Sequence, residues 1–321
     1  MIRTYRPQDR GELLALWNTA GVGAGFAPLE EGEFDELFLS HPDFSPDYTF
    51  LLEEQGQILG FVNGTTGAHI PKGAERGYVT CLLLKPPADT RENGILLLTA
   101  LEEAFRRAGR RYSAVTFFNP IHLPWTIPGT QDHQHNNAPG VATDIPLNGW
   151  MQSFGYRETT RECAMYRSLD DFSMPKAMED KARTMAREGY RVEVYDPRCH
   201  QGLEEMLADL ENPLWCREIP EAARRGQYLL VGLSGSTCAG FTGPVYPEKT
   251  GRGFFSGIGV SPRFQHRGLG KLLFYRLLQA EQEAGAAYMS LFTGEDNPAR
   301  FIYQEAGFRV VRTFSVLLKE L

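Results

Sequence analysis

Residues 261–273 read SPRFQHRGLGKLL, and the meaning of that stretch depends on what flanks it. Upstream, GFFSGIGV has the small and apolar make-up of a strand. Downstream, LGKLLFYRLLQAEQEAG sets Leu269, Leu272, Leu273, Phe274, Leu277 and Leu278 at helical spacing. Gly268 and Gly270 therefore fall at a strand-to-helix turn. The first N–H groups of a helix have no intrahelical acceptor, and the positive end of its dipole points outward. Phosphate-type anions bind at such a turn. Two familiar phosphate loops fail on spacing. A Walker A loop needs a glycine six residues before its lysine and a hydroxyl residue after it, but Lys271 is preceded there by Gln265 and followed by Leu272. A dinucleotide fingerprint starting at Gly257 meets Pro262 where it needs glycine.

What remains is Gln265-His266-Arg267-Gly268-Leu269-Gly270, directly after GIGVSP. It resembles the acetyl-CoA loop, Q/R-x-x-G-x-G/A, of the GCN5-related N-acetyltransferase (GNAT) family. A later segment, NPARFIYQEAGFRVV, is similar to a second motif of that family, with Asn297, Ala299, Tyr303, Gly307 and Phe308 in the motif positions. The resemblance covers residues 190–321. It implies an N-acetyltransferase that takes acetyl-CoA as acyl donor, a small-molecule or peptide amine as acceptor, and no metal. It also implies roles for individual residues. The backbone of Ile258, Gly259 and Val260 would pair with the pantetheine arm, beside a bulge that Gly257 and Gly259 permit, and the Val260 amide would polarise the thioester carbonyl. Gln265, His266, Arg267, Gly268, Leu269, Gly270 and Lys271 would hold the pyrophosphate, with Arg267 and Lys271 adding charge. Asn297 would join the cofactor site, and Tyr303 would be the general acid for the departing thiolate. Each role fits its chemistry: glycine lets a phosphate approach the backbone, and a phenol carries the needed proton. The general base has four candidates, Glu218, Glu221, Glu248 and His266, and the sequence selects none.

The two halves repeat one order of elements. IRTYRPQDRGELLALWNTAG is echoed by YRVEVYDPRCHQGLEEMLADL, and hairpin patterns surround EQGQ and SGST. Each half then has a strand, a turn, a long helix, another strand, an aromatic–glycine turn (SFGYRE, EAGFRV) and a final strand. The expected fold is α/β: two tandem GNAT-like domains, each a central mixed, mostly antiparallel sheet flanked by helices. The joint falls at 172/173, giving a degenerate domain over 1–172 and a catalytic domain over 173–321. The first half departs from the motifs at two places, with Leu96 as the last residue of its loop and Met151 four residues before Gly155. Gly94 to Gly155 spans 61 positions and Gly268 to Gly307 spans 39, so the first half carries about 22 more. They fall in the Pro/Gly/Asn-rich stretch 119–148, which has no strand or helix period and reads either as a lid or wall for an acceptor pocket or as an ordinary surface loop. Its QDHQHNN run is a weak metal pattern.

Bulk properties agree. A chain of 321 residues with 42% hydrophobic and 23% charged residues suits two packed cores. A net charge of −7 argues against a nucleic-acid partner. No apolar run approaches the roughly 18 residues of a membrane span. With five scattered cysteines and no signal-peptide pattern, a cytoplasmic protein is expected. The rival class is a non-catalytic acyl-CoA-binding or sensing protein; intact Asn297 and Tyr303 favour the enzyme.

Overall fold

The computed structural model describes all 321 residues. The first half runs β1 (Ile2–Thr4), α1 (Arg10–Leu16), α2 (Glu31–Phe34), β2 (Thr49–Glu54), β3 (Gln57–Thr65), β4 (Arg76–Leu84), α3 (Arg91–Arg107) and β5 (Tyr112–Val115). It continues through β6 (Trp125–Thr126), β7 (Gln134–His135), β8 (Val141–Ala142), α4 (Pro146–Ser153) and β9 (Arg157–Ser168). The second half runs α5 (Lys176–Arg187), β10 (Tyr190–Val194), α6 (Leu203–Asp209), α7 (Pro213–Arg224), β11 (Leu230–Ser234), β12 (Thr237–Thr242), β13 (Arg252–Gly253) and β14 (Ile258–Val260). It ends with α8 (Leu269–Glu283), β15 (Tyr288–Gly294), α9 (Ala299–Glu305) and β16 (Arg309–Glu320). The fold is α/β, and each half repeats the other's order of elements from its first hairpin to its long helix, except that β13 and β14 stand where the first half has β4 alone.

Both expected hairpins form. Glu54 pairs with Gln57 across a two-residue turn in which Gln55 and Gly56 have positive φ (52° and 76°), the geometry that matches strand twist. Ser234 pairs with Thr237 across Gly235 and Ser236, where only Gly235 has positive φ (64°).

The chain forms two compact units that interchange short segments. One comprises Met1–Ala164, Phe292–Asn297 and Val310–Leu321, and the other Met165–Leu291 and Pro298–Arg309. The units therefore differ from a contiguous division at 172/173. In the first unit the sheet order is β1-β2-β3-β4-β5-β16, antiparallel except for β4 and β5. Its closing strand comes from the far end of the chain, with Leu317 opposite Val115 and Glu320 opposite Tyr112. The physical reason is burial, because Phe314, Val316 and Leu317 are apolar and take their place in this unit's core.

Alternate residues of the central strands feed opposite faces of that sheet. Phe50, Leu52, Val62 and Leu82 pack with Leu97, Leu98, Leu101 and Phe105 of α3. Leu51, Phe61 and Leu83 pack with Leu13, Leu16 and Trp17 at α1. The period of two is what divides them. The stretch 119–148 is more ordered than its composition suggests. β6 pairs with β7, β8 pairs with β16, and the Trp125 ring stacks on His135 at 5.9 Å, all within this unit.

In the second unit β10, β11, β12 and β14 form one antiparallel sheet, while β13 runs parallel to β15. Val231, Leu233 and Phe241 meet α6 and α7 through Leu203, Met206, Leu207 and Ile219. On the other face Gly232 makes room for Leu269 of α8.

Candidate active site

The second unit opens its sheet at one place. Arg252 and Gly253 pair with Tyr288 and Met289, and then the ladder breaks. After the break, Ile258–Val260 pair with β12 instead. Three contacts hold the break. Trp215 Nε1 donates to the Ser256 carbonyl (3.2 Å), Ser256 Oγ donates to the Gly243 carbonyl (2.6 Å), and Thr242 Oγ1 donates to the Gly257 carbonyl (3.1 Å). Gly257 has φ +148°, and a Cβ there would overlap the Trp215 ring. At Gly259 a Cβ would overlap Leu210. Both glycines are thus required by the packing of α6 and α7 against the strand, and a break in the strand lies where the sequence expected one.

The register shows which backbone groups are left open. Ser261 N donates to Ala239 O (2.9 Å), which makes 261/239 a hydrogen-bonded pair. Antiparallel pairs alternate, so Gly259 is tied to Phe241 while Ile258 and Val260 turn their N–H and C=O away from β12. β14 is the edge of its sheet, and those groups form its unpaired margin. Gln265 Nε2 donates to the Val260 carbonyl (3.0 Å), tying the loop to that edge.

Beyond the strand, Ser261 Oγ and Arg263 are held by Asp209, at 2.7 Å and 3.0 Å. The chain then turns through His266 (φ 61°) and Gly268 (φ 86°) into α8. Gly268 is the N-cap residue and has no side chain to offer, so the first-turn amides of Leu269, Gly270 and Lys271 have no cap. Leu269 is buried, contributing only its backbone to the loop. Gly270 sits in ordinary contact with Val260 Cγ2, 3.5 Å from where its Cβ would be. The expected basic groups are placed differently. Lys271 is ion-paired with Glu305, and the Arg267 guanidinium lies 5.4 Å from the centroid of the Tyr190 ring.

Tyr303 on α9 is 5% exposed, with its ring 4.7 Å from Phe274, which in turn lies 6.2 Å from Phe255 in the strand break. Burial pushes its phenol up to about 12, so the hydroxyl keeps its proton throughout the neutral range. Asn297 belongs to the other compact unit, at a turn where its amide donates to Gly294 O (2.9 Å). Among the candidate bases, Glu218 is paired with Arg217, Glu221 with Arg225 and Glu248 with Arg252; His266 is exposed. No group of three or more His, Cys, Asp or Glu side chains is placed to hold a metal ion.

Two contributors escaped sequence reading. Trp215, which pins the strand break, carries no motif signal. Lys181 of α5 reaches so close to Gly268 that a Cβ there would overlap the end of its side chain. Its signal was faint: a lysine on the same helical stripe as Met178 and Met185.

The equivalent turn of the first unit is built otherwise. Thr90 caps α3, its Oγ1 accepting from Asn93 N at 3.3 Å, and Asn93 Nδ2 donates to the Ala88 carbonyl. Leu96 stands 51% exposed, and Met151 is buried in the apolar core. The space flanked by Val79–Leu82 of β4 and Val115 of β5 is lined by Ile145, Leu147 and Met151, with Val141.

Residues 190–308 match the model of the acetyltransferase (GNAT) family. A comparison with curated proteins finds no match in sequence. Among solved structures, the chain is similar to a GCN5-related glucosamine N-acetyltransferase region of a fungal multi-domain GH3 β-N-acetylglucosaminidase. That match has a TM-score of 0.71 and 16% identity over 99% of this chain, which spans 38% of the fungal protein. It is also similar to a GCN5-related N-acetyltransferase from Sphaerobacter thermophilus, with a TM-score of 0.66, 15% identity, and coverage of 100% of this chain and 95% of that one. A tandem GNAT protein from the clavulanic acid biosynthesis pathway gives a TM-score of 0.60 and 15% identity, covering 100% of this chain and 98% of the other. No helix is long and apolar enough to cross a membrane. Residues 190–308 thus carry the sequence pattern of the GNAT family of acetyltransferases.

Proposed function

We propose that the chain transfers an acetyl group from acetyl-CoA to a primary amine, and that the second half carries the reaction. One contrast supports this most: α8 begins uncapped at Gly268, beside the unpaired edge of β14, whereas Thr90 caps the matching helix of the first half. An open helix N-terminus accepts a phosphate; a capped one has already used part of that capacity. Acetyl-CoA, when bound, supplies an activated acyl thioester. The amides of Leu269, Gly270 and Lys271 then serve as anion donors, and the outward N–H groups of Ile258 and Val260 serve as strand-like donors and polarisers. Tyr303 Oη holds the proton that a departing thiolate needs. Leu96 and the buried Met151 offer the first half neither function, so that half acts as scaffold.

The test is release of free CoA thiol across a panel of primary amines. Wild type should turn over at least one of them, and Tyr303→Phe should lower kcat about 10²-fold while leaving acetyl-CoA affinity nearly unchanged. Gly270→Trp should abolish donor binding in a folded protein. Tight acetyl-CoA binding with no thiol release on any amine would favour a sensor. Turnover that survives Tyr303→Phe and Gly270→Trp unchanged would move the active site elsewhere.

A further inference from the structure

Four cations surround the loop at the start of α8, and they divide into two classes. Arg263 is neutralised by Asp209, and Lys271 by Glu305. Arg267 lies over Tyr190 and Lys181 lies against Gly268; neither has a carboxylate partner. Lys181 is the more unusual of the two because of where its helix puts it. In α5 the buried residues are Met178 and Met185. Position 181 is three after the first and four before the second, so it shares their stripe. The ammonium therefore projects toward the loop, whereas Asp180 and Arg183 pair with each other on the exposed side. Lys181 is partly exposed and its charge is not matched by a carboxylate, so it is available to an arriving anion. Beside it stand the uncapped amides of Leu269–Lys271, which also seek an anion.

We infer that Lys181 is the charge partner of the donor's diphosphate, supplied by the connecting helix α5 from outside the loop motif itself. This rests on the donor assignment above and adds a residue to it. The stem of Lys181 is flexible, so its ammonium can leave the space over Gly268 and close on a diphosphate held by the loop amides. The consequence is selectivity: donors carrying a diphosphate gain from Lys181, and a donor ending at pantetheine gains nothing.

Binding, read by calorimetry, separates the outcomes. Wild type, Lys181→Met and Lys181→Arg are titrated with acetyl-CoA, 3′-dephospho-acetyl-CoA, acetyl-pantetheine and inorganic diphosphate. Lys181→Met should weaken acetyl-CoA, the dephospho form and diphosphate alike by about tenfold or more, and leave acetyl-pantetheine unchanged. Lys181→Arg should recover most of the loss, and the salt dependence of wild-type binding should flatten in Lys181→Met. A loss confined to the donor that carries the 3′-phosphate would overturn the diphosphate assignment, as would unaltered affinity for all four. Wild type that binds diphosphate through Lys181 yet does not bind acetyl-CoA would retain this inference and discard the donor assignment. Wild type that binds neither would overturn both.

Discussion

Glu281 shows what a single buried group does to this protein. It lies on the inner face of α8, fully buried, with Oε1 accepting from the Tyr246 amide (3.3 Å) and Oε2 left without a hydrogen-bond partner. The neighbouring Arg252 is already held by Glu248 at 2.7 Å. Desolvation is the main cause that pushes its carboxyl up to about 8. The folded chain therefore holds this proton more tightly than the unfolded chain, whose Glu titrates near 4.3. With more protons bound in the folded state, stability falls as pH rises between those values and levels off above about 8. Each tenfold in proton affinity is worth about 1.4 kcal/mol, so the full fall is several kcal/mol at most. Glu281→Gln should flatten thermal stability against pH over that window and melt above wild type at pH 9. A variant that tracks the wild-type curve would assign the fall to another group. Tyr303 was visible in sequence because it stands four residues before Gly307; Glu281 was not, since one glutamate in a helix of mixed polarity has no distinguishing pattern.

At the scale of elements, spacing revealed the turn at Gly268, and the family resemblance implied a bulge that Gly257 and Gly259 permit. What spacing could not reveal is why the break stays open. That depends on Trp215, which arrives from α7 and whose ring fills the space a side chain at residue 257 would need. Gly257→Ala thus meets two penalties, a φ of +148° that L-residues rarely adopt and an overlap with the indole. The expected loss is about 1–3 kcal/mol, read as a lower melting temperature, with weaker acetyl-CoA binding. Replacing Trp215 by Leu in the same chain makes room and should restore part of the loss. No recovery would place the whole cost on the backbone angle. The order within the stretch 119–148 was hidden for a related reason. Its strands are two residues each, too short for alternation to show, and they hold through pairing and through Trp125, His135, Phe292 and Phe314.

For the whole molecule, the repeat was legible but the ownership of the last strand was not. β9 and β16 are both 12 residues long, and each follows an aromatic–glycine turn at the end of its half. Period-two alternation shows that a strand exists and which faces it has; it carries no address for the neighbour. The neighbour of β5 is β16, and Lys319 on that strand reaches the buried Glu102 of α3 at 2.7 Å. A polypeptide of residues 1–172 accordingly lacks the strand that closes its sheet. It would leave β5 as an edge, with Leu317 gone from the core and Glu102 buried without its lysine. Breaking a buried pair by removing one partner costs up to about 3–5 kcal/mol, less where a second cation remains as Arg106 does at 3.7 Å, and the lost apolar burial adds to that. Such a chain should aggregate or melt without a cooperative transition. Joining residues 308–321 to its end through a flexible linker long enough to reach β5 should restore a single sharp transition by calorimetry. If residues 1–172 alone unfold as cooperatively as the extended chain, β16 is dispensable to the first unit, and its place beside β5 contributes little to stability.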